Sequence, residues 1–227
     1  MLQGAGARAA PGDQARRRGT AIDQGHVVTT LALVDAGGAN LGSVRYALER
    51  LGVEARIVRD GDGLRDAGRI ILPGVGAAAP AMALLLERGL VAPLRAAKVP
   101  LLGICLGMQL LFESSEEGDV DCLGLLPGRV RKMVGAPGLR VPHMGWNELE
   151  RVRDSALLDG VADDASTYFV HGYAAPVTAD CIAACTHGER FAAMVQRGVV
   201  AGAQFHPERS ATVGARLLSN FLRWNGA

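Results

Sequence analysis

The feature that most limits the fold of this chain is an alternation of short apolar runs and helix-length stretches over residues 31–113. Leu31 to Val34, Glu54 to Val58, Arg69 to Leu72 and Pro100 to Ile104 read as strands bounded by turn residues. Between them, Asn40 to Leu51 reads as a helix with Asn40 as its N-cap, and 78–97 as one or two helices broken at Pro93. Strands joined by helices of this length require right-handed crossovers. The prediction is therefore an α/β fold with a mainly parallel sheet covered by helices on both faces.

From residue 122 to 205 the pattern changes to short β-rich segments, Arg129 to Met133, Tyr168 to Val170, Ala192 to Gln196 and Val199 to Phe205. Glycine, proline and aspartate separate them, which predicts antiparallel strands added to the parallel sheet. A last helix over Ser210 to Trp224 presents Val213, Leu217, Leu218 and Phe221 as one stripe. With 227 residues, 49% of them hydrophobic, the chain can bury one substantial core. Residues 1–26 contribute little to it: they carry almost no large apolar side chains and include Arg16-Arg17-Arg18. They are expected to be a disordered extension to a domain at 27–227, with Val27 or Val28 an alternative start.

Composition excludes several function classes. A net charge of +1 supplies no electrostatic grip on nucleic acid or an anionic membrane. Apolar runs stop well short of the roughly 18 residues of a membrane-spanning helix. Cys105, Cys122, Cys181 and Cys185 lack the setting of a secreted disulfide scaffold, and Cys181 and Cys185 have no histidines at zinc-site spacing. The expectation is a cytoplasmic protein with no metal and no cofactor.

The strand at 100–104 ends in Gly103-Ile104-Cys105-Leu106-Gly107, after which Leu106, Gln109 and Leu110 follow helix-face spacing. A cysteine at a sharp strand-to-helix turn is lifted toward free backbone N–H groups. Those donors favour a thiolate, and flanking glycines relieve the crowding of the turn, as in a nucleophile elbow. Read alone, Cys105 fits a small buried core residue equally well.

A nucleophile needs a base, and the base an orienting partner. Among five histidines, His26 lies in the extension, His143 and His171 follow short apolar segments, and His187 adjoins a turn glycine. Only His206, in Gln204-Phe205-His206-Pro207-Glu208, ends a strand with a carboxylate two residues on. Cys105, His206 and Glu208 thus form a candidate triad. Leu72-Pro73-Gly74-Val75-Gly76 also ends a strand, so the N–H groups of Gly74, Val75 and Leu106 are candidate oxyanion donors at a shared crevice.

Together, G-I-C-L-G-M-Q-L-L-F, H-P-E and L-P-G-V-G resemble class I glutamine amidotransferases. Val141 to Asn147 (V-P-H-M-G-W-N) and Asn40 to Val44 after Asp35 further resemble the glutaminase subunit of imidazole glycerol phosphate synthase. The resemblance covers residues 29–224. It implies a three-layer glutaminase fold and hydrolysis of glutamine to glutamate and ammonia, with Cys105 attacking the carboxamide and His206 moving protons. It further implies ammonia delivery to a separate, barrel-shaped cyclase subunit in a heterodimer. By the same resemblance, Gln109, His171, Gly172 and Tyr173 hold glutamine, and Asn40, His143, Met144, Trp146 and Arg209 line the partner interface. Ala36, Ala77, Gly172 and Arg209 depart from the family pattern, none of them in the triad. Two other readings stay open: a glutaminase serving anthranilate, aminodeoxychorismate or guanylate synthesis, and a non-catalytic module of the same fold.

Overall fold

The computed structural model describes residues 30–37 and 40–226; the expected extension at 1–26 lies outside the described residues. In chain order come β1 (Leu31–Val34), α1 (Leu41–Arg50), β2 (Ala55–Val58), β3 (Arg69–Gly74), α2 (Ala78–Glu87), α3 (Val91–Ala96), β4 (Leu101–Cys105) and α4 (Leu106–Gln109). Short strands β5 (Ser114–Ser115), β6 (Val120–Asp121), β7 (Arg129–Lys132), β8 (His143–Glu148) and β9 (Glu150–Arg151) follow. The chain continues through β10 (Ser166–His171), β11 (Tyr173–Ala174), β12 (Cys181–His187), β13 (Glu189–Arg197) and β14 (Val200–Ala203), and closes with α5 (Ala211–Arg223).

Eight strands form the main sheet in the order β2-β1-β3-β4-β14-β13-β12-β9. The five from β2 to β14 are parallel; β13, β12 and β9 extend the sheet antiparallel. This is the predicted parallel sheet with added antiparallel strands. Two of the segments expected to extend it go elsewhere. β10 pairs with β8 in a separate ribbon, and β7 joins β11, β5 and β6 in a small four-stranded sheet.

The period of two in β1 explains the layers. Leu31 and Leu33 face one side, packing with Val44 and Leu48 of α1 and with Leu217, Leu218 and Phe221 of α5. Ala32 and Val34 face the other, with Met82 and Leu85 of α2 and Leu94 of α3. Each fully buried leucine contributes about 2 kcal/mol of hydrophobic stabilisation, so both helical layers are held by the sheet they cover.

Two helix boundaries and one helix cap differ from expectation. Gly89, at φ +65°, rather than Pro93 separates α2 from α3; Pro93 sits in the first turn of α3, where its missing N–H costs little. Asn40 stands at the N-cap position of α1 but makes no capping bond, because its side chain is engaged elsewhere. And α4 is a single turn, so the chain after Cys105 carries almost no macrodipole.

Candidate functional site

Strand register brings the site together. Gly74 of β3 pairs with Cys105 of β4, and Ala203 of β14 with Ile104, so Gln204 to His206 emerge beside the cysteine. Three adjacent parallel strands thus deliver their carboxyl ends to one crevice, as predicted for an open α/β sheet. Here a cavity of about 290 Å³ is lined by Val75, Cys105, Leu106, Gln109, His171, Tyr173 and His206, among others.

Cys105 occupies a left-handed backbone conformation, φ 54° and ψ −112°, which costs a non-glycine residue on the order of 1–3 kcal/mol. The glycines around it permit this. A Cβ on Gly107 would lie 1.8 Å from the carbonyl oxygen of Leu72, and one on Gly103 would lie 2.6 Å from the carbonyl oxygen of Gly107. Backbone therefore packs directly on backbone where β3, β4 and α4 meet. That contact turns the chain sharply and leaves the Cys105 side chain facing the cavity, as in a nucleophile elbow.

His206 is held from three sides. Its backbone N–H donates to Tyr168 in β10 at 2.9 Å, and its carbonyl accepts from Ser210 Oγ at 2.7 Å. The turn Pro207–Arg209 folds Glu208 back so that Oε1 lies 2.8 Å from His206 Nδ1. A carboxylate only accepts, so Nδ1 carries the proton, which leaves the opposite ring nitrogen as the acceptor in the cavity that His206 and Cys105 line together. Burial works against charge on this imidazole, but hydrogen bonds and charge attraction from Cys105 and Glu208 outweigh it, raising its pKa to about 10. Burial likewise opposes ionisation of Glu208, yet the bonds and charge from His206 and the bond from Asn40 leave its pKa below the usual value. The three triad residues proposed from the motif thus stand together.

Asn40 is the first addition to the sequence reading. Its Nδ2 donates to Glu208 Oε1 at 2.7 Å, sharing that oxygen with His206. The amide that local pattern assigns to a helix cap, and family resemblance to an interface, is turned inward to fix the carboxylate. Gln204 is the second. It is wholly buried, accepts from Gln109 Nε2 at 3.0 Å and donates to Cys105 Sγ at 3.8 Å. The signal was one amide in an otherwise apolar run.

Of the expected oxyanion donors, Val75 and Leu106 line the cavity, and Gly74 is buried beside the elbow, its missing Cβ leaving room for Leu106 and Gly107. All four expected glutamine contacts, Gln109, His171, Gly172 and Tyr173, line the cavity too. So does Glu117, which sequence reasoning passed over. Its Oε2 accepts from the Ala78 N–H at the start of α2, and burial raises its pKa. Both N–H bonds of Gln109 are spent, on Tyr173 O at 2.8 Å and on Gln204, which leaves its own carbonyl as the free group. Of the expected interface residues, Met144 and Trp146 are 65% and 55% exposed and Arg209 is exposed, but His143 is buried with Asn40.

His143 belongs to a histidine cluster behind the cavity. His171 Nδ1 donates to Tyr173 O at 2.9 Å, so its Nε2 accepts from His143 Nδ1 at 3.2 Å, and Asn147 donates to His143 Nε2 at 3.3 Å. Every bond in this chain is satisfied with both rings neutral. Burial first, then repulsion by the His187 imidazole, lowers the pKa of His143 to about 4; burial, aided by repulsion from neighbouring imidazoles, lowers that of His171 to about 3, though the Tyr173 carbonyl partly counters it. In the window from 6.5 down to these values the unfolded chain binds protons that the folded chain refuses, so stability falls with falling pH. Between pH 6.5 and 5, above most carboxylate titrations, each ring adds a slope approaching about 1.4 kcal/mol per pH unit. Thermal melts across that range are expected to show this loss, and His143→Gln to flatten it.

Comparison with known proteins identifies the family. Residues 32–224 match the family Glutamine amidotransferase class-I. The imidazole glycerol phosphate synthase subunit HisH of Xanthomonas campestris pv. campestris (strain 8004) is 71% identical over 195 residues, 86% of this chain and 98% of that protein. The same subunit of Xylella fastidiosa (strain Temecula1) is 64% identical over 200 residues, 88% and 100% of the two chains. Among solved structures, PurLQS from Thermotoga maritima shares the fold at TM-score 0.67 and 20% identity, covering 86% of this chain and 98% of that one. The chain belongs to the class I glutamine amidotransferases, and within them to the family of the imidazole glycerol phosphate synthase subunit HisH.

Proposed function

We propose that this chain is the glutaminase subunit of an imidazole glycerol phosphate synthase, splitting glutamine and supplying ammonia to a separate cyclase subunit in histidine biosynthesis. The observation that carries the chemistry is the Cys105–His206–Glu208 triad, with the cysteine on a strained turn inside the cavity. As Sγ attacks the carboxamide carbon, the thiol proton passes to His206; the C–N bond then breaks as His206 gives that proton to the departing nitrogen, releasing ammonia and leaving a glutamyl thioester. Water, deprotonated by His206, then attacks the thioester carbon; glutamate leaves and the sulfur is restored. The Val75 and Leu106 N–H groups, with Gly74 shaping the turn, are suited to the oxyanion of both steps. The Gln109 carbonyl and the Glu117 carboxylate are suited to the substrate's α-ammonium.

A second, smaller cavity meets the first at Val75, Val170 and His206 and opens past Asn40, Ser43 and Arg209. Beside it Met144 and Trp146 lie exposed on β8, with Trp146 packed edge-on against Tyr168 at 5.9 Å. This face is suited to the cyclase, a barrel by family resemblance; His143 and Asn40 then support the interface from within. The setting is a cytoplasmic heterodimer. No helix among the described residues is long and apolar enough to cross a membrane.

Glutamate release tests the reading directly. The chain alone is expected to turn over glutamine slowly, and addition of the cognate cyclase with its nucleotide ligand to raise the rate at least tenfold. Absence of stimulation by the cyclase, whatever the basal rate, assigns the chain to another amidotransferase or to a non-catalytic module.

A further inference from the structure

The amides of Gln109 and Gln204 form a relay whose polarity is fixed from end to end. The Tyr173 carbonyl can only accept, so it orients the Gln109 NH2 group, whose second hydrogen meets Gln204 Oε1. With its oxygen so held, Gln204 must direct its own NH2 group at Cys105 Sγ. Nothing else accounts for a fully buried glutamine at this place: an apolar side chain of the same length would fill the volume without the cost of burying an amide. We infer that Gln204 is a further member of the reactive centre, an N–H donor that steadies negative charge on the Cys105 sulfur while its carbonyl locks the orientation of Gln109. The inference rests on the glutaminase reading of the site and adds to the sulfur a donor distinct from His206. One buried amide thereby couples the group that reacts to the group that faces the substrate.

Alkylation of Cys105 by iodoacetamide as a function of pH, followed by mass spectrometry in the full chain without glutamine, tests this apart from any turnover. Burial pushes the thiols of Cys122, Cys181 and Cys185 up to about 11, 11 and 12, so reaction at neutral pH reports on Cys105. Gln204→Met keeps length and removes the donor; its alkylation midpoint is expected to rise by about one pH unit. Gln204→Glu, which sets a carboxylate beside the sulfur, is expected to raise it further. Gln109→Met leaves Gln204 in place but unlatched, and is expected to move the midpoint in the same direction by less. The double variant Gln109→Met/Gln204→Met should match Gln204→Met alone, since the two act as one relay. A midpoint unchanged in a folded Gln204→Met protein overturns the inference. Should that variant fail to fold, an unchanged midpoint in Gln109→Met overturns it equally, and neither result bears on whether the chain is a glutaminase.

Discussion

Cys105→Ala is expected to abolish glutamine hydrolysis, with a fall of about four orders of magnitude or more in rate, while the protein still folds cooperatively. The rate falls because no neighbouring group can take over the covalent step: His206 is committed to Glu208, and Gln204 and Val170 present only an amide and a carbonyl to the sulfur. The fold persists because alanine keeps the backbone conformation and loses one atom whose polar contacts to Val170 and Gln204, at 3.7 and 3.8 Å, are long. A second readout separates chemistry from folding. Without the sulfur, part of what raises the His206 pKa is gone, so NMR titration should find that pKa well below about 10. Because a raised histidine stabilises the fold below 6.5 and loses that contribution as pH climbs through its folded value, the variant should also lose stability at a lower alkaline pH than the parent.

Gly107→Ala is expected to produce one of the two largest structural effects of a single methyl group near the site, the other being at Gly214, whose added Cβ would also lie 1.8 Å from a backbone carbonyl oxygen, that of Pro207. The added carbon would sit 1.8 Å from the Leu72 carbonyl oxygen, and what must give way is backbone, not a flexible side chain. Leu72 is in the core of β3, paired with Gly103 of β4, so relief means parting the two central strands. The expected cost is about 3 kcal/mol or more. For a domain of this size that is about 10 °C in melting temperature. Melting curves decide it, and a variant melting with the parent would show that the elbow can form without direct backbone contact. Gly76, whose added Cβ would meet nothing within 4 Å, serves as the comparison, where the penalty is confined to its φ of +97°.

Much of this molecule is readable from pattern because its main sheet is built from apolar runs that no other element explains. β1 and β4 are buried along their whole length and β3 from Ile70 onward, and uninterrupted runs of that kind mark strands covered on both faces. β8 escaped for the opposite reason. Its exposed face carries Met144 and Trp146 and its inner face carries His143, so the usual alternation is inverted. The triad was legible because glycine spacing and the His-x-Glu pair are local. Asn40 and Gln204 were not, since their partners lie 168 and 95 or more residues away and only the folded sheet brings them together. The single turn of α4 was hidden as well: Leu110, Leu111 and Phe112 continue a helical pattern, but all three are buried and the chain bends to pack them.

β14 lies between β4 and β13, although it is the last strand made. A ribosome releasing this chain from its amino end exposes β4, with its nucleophile, roughly 100 residues before the strand that pairs with it, and synthesis at about 5–20 residues per second makes that an interval of seconds. During it the unpaired edge of β4 is the nascent chain's principal hazard for wrong pairing. The same order is protective. The imidazole and carboxylate that arm the cysteine arrive on the segment that closes the sheet, so a prematurely terminated chain is left without the means to hydrolyse glutamine.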